Sequence, residues 1–126
     1  MKSYQVIVKT SVNDVPKEHE LSAALILANH YKTDIVFLRP QANRTPDIDI
    51  NGTRWEIKSP IGDGKKTIEN NFRNARKQSR NVIIDLRRIK MHPNKASVRI
   101  RSFLSKPHRF RKILIITKGK KVVEIL

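Results

Sequence analysis

The chain has 126 residues, with 27 Lys and Arg against 11 Asp and Glu, for a net charge of +16. That length suits a single domain, 1–126, that buries most of its unfolded surface, and the absence of cysteine removes disulfides and thiolate metal sites. With no signal-peptide core and no apolar run of membrane length, the expectation is a cytoplasmic protein without a membrane partner, and so cationic a surface points to a polyanion, most simply nucleic acid.

The charge is uneven. From Leu86 to Leu126 the only acid is Glu124, whereas cations recur from Arg87 to Lys121; the acids gather in the first two thirds. In chain order, loose alternation around Tyr4, Val6 and Val8 reads as a strand or extended arm, and Asn13-Asp14-Val15-Pro16 as a turn or helix start. Leu21, Ala24, Leu25 and Ala28 recur at helical spacing and predict an amphipathic helix from Glu18 to Tyr31. Asp34 to Leu38 is a short apolar strand halted by Arg39-Pro40, and Gln41 to Thr45 is a polar loop.

The next stretch carries most of the information. Asn51-Gly52 between two alternating runs predicts a type I′ hairpin, because both central residues need positive φ. The register then sets Ile50 against Thr53, Asp49 against Arg54, Ile48 against Trp55 and Asp47 against Glu56. Side chains alternate across a strand, so Ile48, Ile50, Trp55 and Ile57 share a buried face, and Asp47, Asp49, Arg54, Glu56 and Lys58 share the other. Asp47 and Glu56 are an awkward pair at cross-strand distance unless something positive lies between them, and a divalent cation takes carboxylate oxygens. The competing reading is a solvated face with an Asp49–Arg54 ion pair and Lys58 beside Glu56.

After Pro60 comes a glycine-containing loop, Ile61 to Lys66, which lacks the spacing of a phosphate loop. Thr67 to Arg80 reads as a second helix with Ile68, Phe72, Ala75 and Ser79 along one side. Arg73, Arg76, Lys77 and Arg80 form a cationic stripe that fits either a phosphate-binding face or a solvated one. Asn81 to Leu86 is near-continuously apolar, as for a strand covered on both faces. Asn94 to Ser105 reads as a helix through Ala96, Ile100, Phe103 and Leu104, although Val98 to Arg101 also alternates like a strand. Lys112 to Thr117 and Lys121 to Ile125 form a closing hairpin around Lys118-Gly119-Lys120.

The order Pro46-Asp47, short hairpin, Glu56-x-Lys58 resembles the signature of the PD-(D/E)xK, restriction-endonuclease-like, metal-dependent nucleases. The helix, strand, hairpin, helix, strand succession is similar to the αβββαβ core of that fold, with a mixed sheet, here followed by a C-terminal helix and β-hairpin. More narrowly, Pro46 to Gly52, Trp55 to Pro60, Ala75-Arg76-Lys77-Gln78-Ser79 and Val82 to Leu86 resemble the C-terminal nuclease domains of CdiA-type contact-dependent growth-inhibition toxins, many of which act on tRNA. This likeness runs from about His19 to the C-terminus. It implies Asp47 and Glu56 as ligands of Mg²⁺ or Mn²⁺, and Lys58 as the residue that steers the attacking water. It implies Glu20 as a third acid, with Glu18 competing for that role, and Gln78 as a contact to the substrate backbone. An immunity protein would be the partner of a toxin. A chain that opens on its own Met1 leads to the expectation of a free-standing mobile-element or housekeeping nuclease.

The expected activity is hydrolysis of phosphodiester bonds in RNA such as tRNA, or in DNA. Two other classes compete. A metal-free ribonuclease would use His19, His30, His92 or His108 as acid and base, and a non-catalytic nucleic-acid-binding module would keep the fold without turnover. Survival of activity in EDTA marks the first, and absence of turnover marks the second.

Overall fold

A computed structural model describes residues 3–10, 15–38 and 47–126. Asn13-Asp14, Arg39-Pro40, the loop Gln41 to Thr45 and Pro46 of the nuclease-like motif lie outside the described residues. In chain order the elements are β1 (Val6–Val8), α1 (Glu18–Tyr31), β2 (Ile35–Phe37), β3 (Ile48–Ile50), β4 (Thr53–Lys58), α2 (Thr67–Arg76), β5 (Asn81–Asp85), α3 (Pro93–Leu104), β6 (Lys112–Ile116) and β7 (Val122–Glu124). The run α1-β2-β3-β4-α2-β5 is the expected succession. Around it, β1 and the β6–β7 hairpin join the same sheet, which among the described residues has seven strands in the order β1 to β7.

The Asn51-Gly52 turn forms as its chemistry requires, with φ of +52° and +85°. The register of β3 on β4 is Ile48↔Trp55, Asp49↔Arg54 and Ile50↔Thr53. β2 is antiparallel to β3, so β2 and β4 run the same way. β4, β5 and β6 are mutually parallel, β1 is parallel to β2, and only β3 and β7 run against the rest. Parallel strands covered on both sides are apolar throughout, and Val82, Ile83 and Ile84 of β5 are fully buried.

Alternation along the strands divides the interior in two. On one face, Ala23, Ala24, Leu27 and Ala28 of α1 pack against Ile48, Ile50, Trp55, Ile57, Ile83 and Leu114. On the other, Ile68, Phe72 and Ala75 of α2 and Ala96 and Ile100 of α3 pack against Val82, Ile84, Ile113 and Ile115. The sheet is thus sandwiched between helices.

Two expectations change, and one choice between helix and strand is decided for the helix. In α1 the buried stripe includes Ala23 and Leu27, and Leu25 is 50 % exposed. Every residue from Ala23 to Ala28 is apolar, so spacing alone does not choose the inward face and packing does. α2 ends at Arg76, not Arg80. No apolar residue follows Ala75 until Val82; the amides of Gln78 and Ser79 both turn back to the Ala75 carbonyl, and Ser79 Oγ accepts from the Asn81 amide at 3.0 Å, starting β5 instead. The 94–105 stretch is a helix, begun by Pro93 in the first turn and by His92 Nδ1 accepting from the Asn94 amide at 3.1 Å. Val98 is exposed and Ile100 buried, which a strand would have placed on one side.

Candidate active site at the carboxyl ends of the parallel strands

In open α/β sheets ligands gather outside the carboxyl ends of the parallel strands. Here β4 delivers Glu56 and Lys58 to that end, and Asp47 arrives at the start of antiparallel β3. Extending the β3–β4 register by one residue sets Asp47 against Glu56. The Asp47 backbone is fixed by the Leu38 amide on its carbonyl, and its Oδ2 accepts from the Ile57 amide at 3.1 Å.

Glu56 is only 4 % exposed, so the solvated-face reading fails at this position. It opposes Val82, which opposes Ile113, a row on the face covered by α2 and α3. Desolvation in that row raises its carboxyl, a hydrogen bond to Asp47 and the Asp47 charge raise it further, and the acid is pushed up to about 9. Lys58 pulls the other way, with Nζ 4.0 Å from Glu56 Oε1. Glu20 adds a smaller repulsion. The Asp49–Arg54 ion pair does not form: Asp49 Oδ1 takes the Gly52 amide at 2.9 Å and secures the turn.

Of the two acids that α1 offers, Glu20 is the one felt by Glu56, and Glu18 is exposed. Glu20 Oε1 also accepts from the Lys17 amide at 2.8 Å. This caps the first turn of α1 and fixes the side chain. Among the described residues no three acidic or imidazole side chains are gathered tightly enough to enclose an ion. The preassembled unit is the pair Asp47 and Glu56, with Lys58 at its edge and Glu20 as the more remote acid.

The position of Glu20 rests on residues that pattern reading missed. Asp85, at the end of β5, is fully buried and accepts from Arg87 Nε at 2.9 Å and Nη2 at 2.8 Å. The same guanidinium reaches Ser22 Oγ at 2.6 Å and the His19 carbonyl at 2.9 Å. Arg87 thereby fastens the first turn of α1 to the sheet. Arg88 Nε donates to Ser59 Oγ at 3.0 Å, which brings a second cation beside the strand end that carries Lys58. An aspartate closing an apolar strand, with arginine two residues on, was the available signal.

The cationic stripe is broken up. Arg73 is paired with Glu69 at 2.9 Å, Arg76 closes α2, Lys77 and Gln78 lie in the following turn, and Arg80 stands beyond it, just before β5. Two of the histidines serve the backbone: His92 Nδ1 caps α3, and His108 Nδ1 accepts from the Phe110 amide at 2.9 Å. Among the described residues no helix is long and apolar enough to cross a membrane.

These features define a mixed α/β domain with a carboxylate pair, one member buried and one half-buried, and a lysine at the strand ends. The family model described as the contact-dependent growth inhibition CdiA C-terminal domain matches residues 44–122. The chain belongs to that family. Among solved structures it is similar to a chain of a CdiA-CT/CdiI toxin and immunity complex from Burkholderia pseudomallei, with 22 % identity and a TM-score of 0.67 over 96 % of this chain and 98 % of that one. At that identity the likeness is one of fold. Comparison with curated proteins gives no match.

Proposed function

We propose that this chain is the toxic effector domain of a contact-dependent growth-inhibition system, that it hydrolyses phosphodiester bonds of nucleic acid with Mg²⁺ or Mn²⁺, and that an immunity protein is its partner. The observation that carries the reading is the carboxylate pair: buried Glu56 opposite half-buried Asp47 in the β3–β4 register, with Lys58 Nζ 4.0 Å from Glu56. A sheet gains nothing in stability from two carboxylates in an apolar row, whereas a hard cation takes such oxygens.

The donor set fits a divalent ion. Asp47 and Glu56 would hold it, with Glu20 as the further acid, and when bound it would supply Lewis acidity and a water of lowered pKa. The chain's own residues do the rest. Lys58 places a positive charge where the attacking water and the phosphate meet, partly exposed and so open to substrate. The amide of Ile57 holds Asp47 in one rotamer. Arg88, tied to Ser59, adds charge for a neighbouring phosphate. The restriction-endonuclease-like core belongs to the same proposal, supported by the α1-β2-β3-β4-α2-β5 order. The nuclease family's tRNA habit makes tRNA the first substrate to try.

The test is purified protein with Mg²⁺, Mn²⁺ or EDTA against tRNA, single-stranded RNA and duplex DNA, beside Asp47→Asn and Glu56→Gln. Metal-dependent cleavage lost in both variants is expected. Full activity in EDTA would replace this reading with a histidine mechanism, which the backbone duties of His92 and His108 disfavour.

A further inference from the structure

Between α2 and α3 lies a cleft of about 160 Å³ lined by Lys65, Glu69, Arg99, Ser102, Phe103 and Lys106, none of which belongs to the carboxylate pair. Its one acid is already engaged, since Glu69 is bound to Arg73 at 2.9 Å. Among the described residues the only other ion pairs are Lys58–Glu56 and Arg87–Asp85. Three cations therefore line one small concavity whose single carboxylate is already shared with a fourth, Arg73. Like charges so placed repel, and an anion between them relieves it.

The walls are fixed. Phe103 stacks on Phe72 with ring centroids 4.6 Å apart, and Phe110 abuts Phe72 at 5.6 Å. Lys95, Arg99 and Ser102 follow one another at i, i+4 and i+7 on one face of α3, about 10 Å along its axis. Lys95 Nζ donates to the Asp63 carbonyl at 3.3 Å, which ties this face to the loop leading out of β4. Six residues lie between Lys58 and Lys65, so their Cα atoms are at most about 25 Å apart. That limit corresponds to roughly seven phosphates of a helical strand.

We propose that this cleft is a phosphate subsite for a polynucleotide, holding a backbone phosphate several nucleotides from the one at Asp47 and Glu56. The inference rests on the nucleic-acid reading of the proposed function. Arg99 supplies the planar fork that suits phosphate, Ser102 a hydroxyl, and Lys65 and Lys106 mobile ammonium groups. Phe103 gives an apolar wall against which a sugar or base can lie.

The experiment measures binding in EDTA, so that catalysis does not enter. A labelled single-stranded oligonucleotide of about 20 residues and a dinucleotide are titrated across a salt series with wild type, Arg99→Gln and the Lys65→Gln/Lys106→Gln double variant. The two lysines are exposed, so the double variant should keep the wild-type melting point even if Arg99→Gln does not. The expected result is severalfold weaker binding of the long oligonucleotide, a salt slope lower by about 0.7, and no change for the dinucleotide. Unchanged slope and affinity in the double variant, with wild type binding normally, would overturn the cleft and leave the nucleic-acid reading standing. No oligonucleotide binding by wild type would overturn both readings together.

Discussion

Glu56 lies directly opposite Asp47 across the β3–β4 hairpin: burial first, then the hydrogen bond to Asp47 and its charge, push the Glu56 carboxyl up to about 9. In the unfolded chain Glu56 ionises at its ordinary value near 4.5. The folded state therefore binds the extra proton between those limits. The contribution to stability is complete below about pH 4.5 and is lost as pH rises toward about 9. Inside that window the slope is up to about 1.4 kcal/mol per pH unit. Glu56→Gln is neutral at every pH and keeps the shape. In EDTA it should melt above wild type at pH 8, and the two curves should converge toward pH 4.5. Melting curves against pH check this; a variant that melts lower at pH 8 would contradict the raised Glu56 carboxyl.

A cation at this pair must displace that proton. Mn²⁺ binding should release about one proton and strengthen with pH up to about 9. At about 100 times its dissociation constant it should stabilise wild type by about 2.7 kcal/mol, and Asp47→Asn and Glu56→Gln much less. Zn²⁺ should substitute poorly, because the pair offers carboxylate oxygens. Calorimetry in two buffers of different ionisation heat reads the proton directly. Equal Mn²⁺ stabilisation of wild type and both variants would place the ion elsewhere.

Arg87→Met strands the fully buried Asp85 charge, and breaking such a pair by removing one partner costs about 3–5 kcal/mol. The double variant Asp85→Asn/Arg87→Met should recover part of that loss. Because Arg87 also holds Ser22 and the His19 carbonyl, the single variant should speed amide exchange in the first turn of α1. Urea titration and hydrogen exchange give the two readings. A loss under about 1 kcal/mol would show that the ion pair is replaceable by water.

Reversing charge at Arg76 and Lys77 together should weaken nucleic-acid binding and flatten its salt dependence by about 0.7–0.9 for each phosphate that is no longer neutralised. Arg73→Glu should do less, because Arg73 is occupied by Glu69. A steeper effect at Arg73 than at the pair would mean that the Glu69 bridge opens on binding.

Much of the fold was legible because short-range chemistry wrote it. Asn51-Gly52 dictated the turn, the turn dictated the register, and the register brought Asp47 to Glu56. The apolar run Val82 to Ile84 announced a central strand. What escaped depends on contacts across the chain. Nothing local says that Arg87 reaches His19 and Ser22, residues more than sixty positions away. Leu25 and Leu27 are equally apolar, and only the sheet beneath α1 distinguishes them. Charge pattern promised one stripe on α2, but the helix stops where burial stops, and the cations that converge do so from the α2–α3 seam. Glu56 also looked like half of a polar face; its burial follows from α2 and α3 lying over that face, and its own strand does not reveal it.

Each strand lies beside its neighbour in the chain, from β1 at one border to β7 at the other. No strand has to be slipped between two that are already paired, so the sheet can grow by adding rungs at its border, and the segments to be closed stay short. The same order governs its undoing. Tension on the C-terminus meets β7 first, then β6, and reaches β1 last, so the sheet opens like a zip. A sheet ordered this way can be drawn out strand by strand from either border and laid down again in the same sequence.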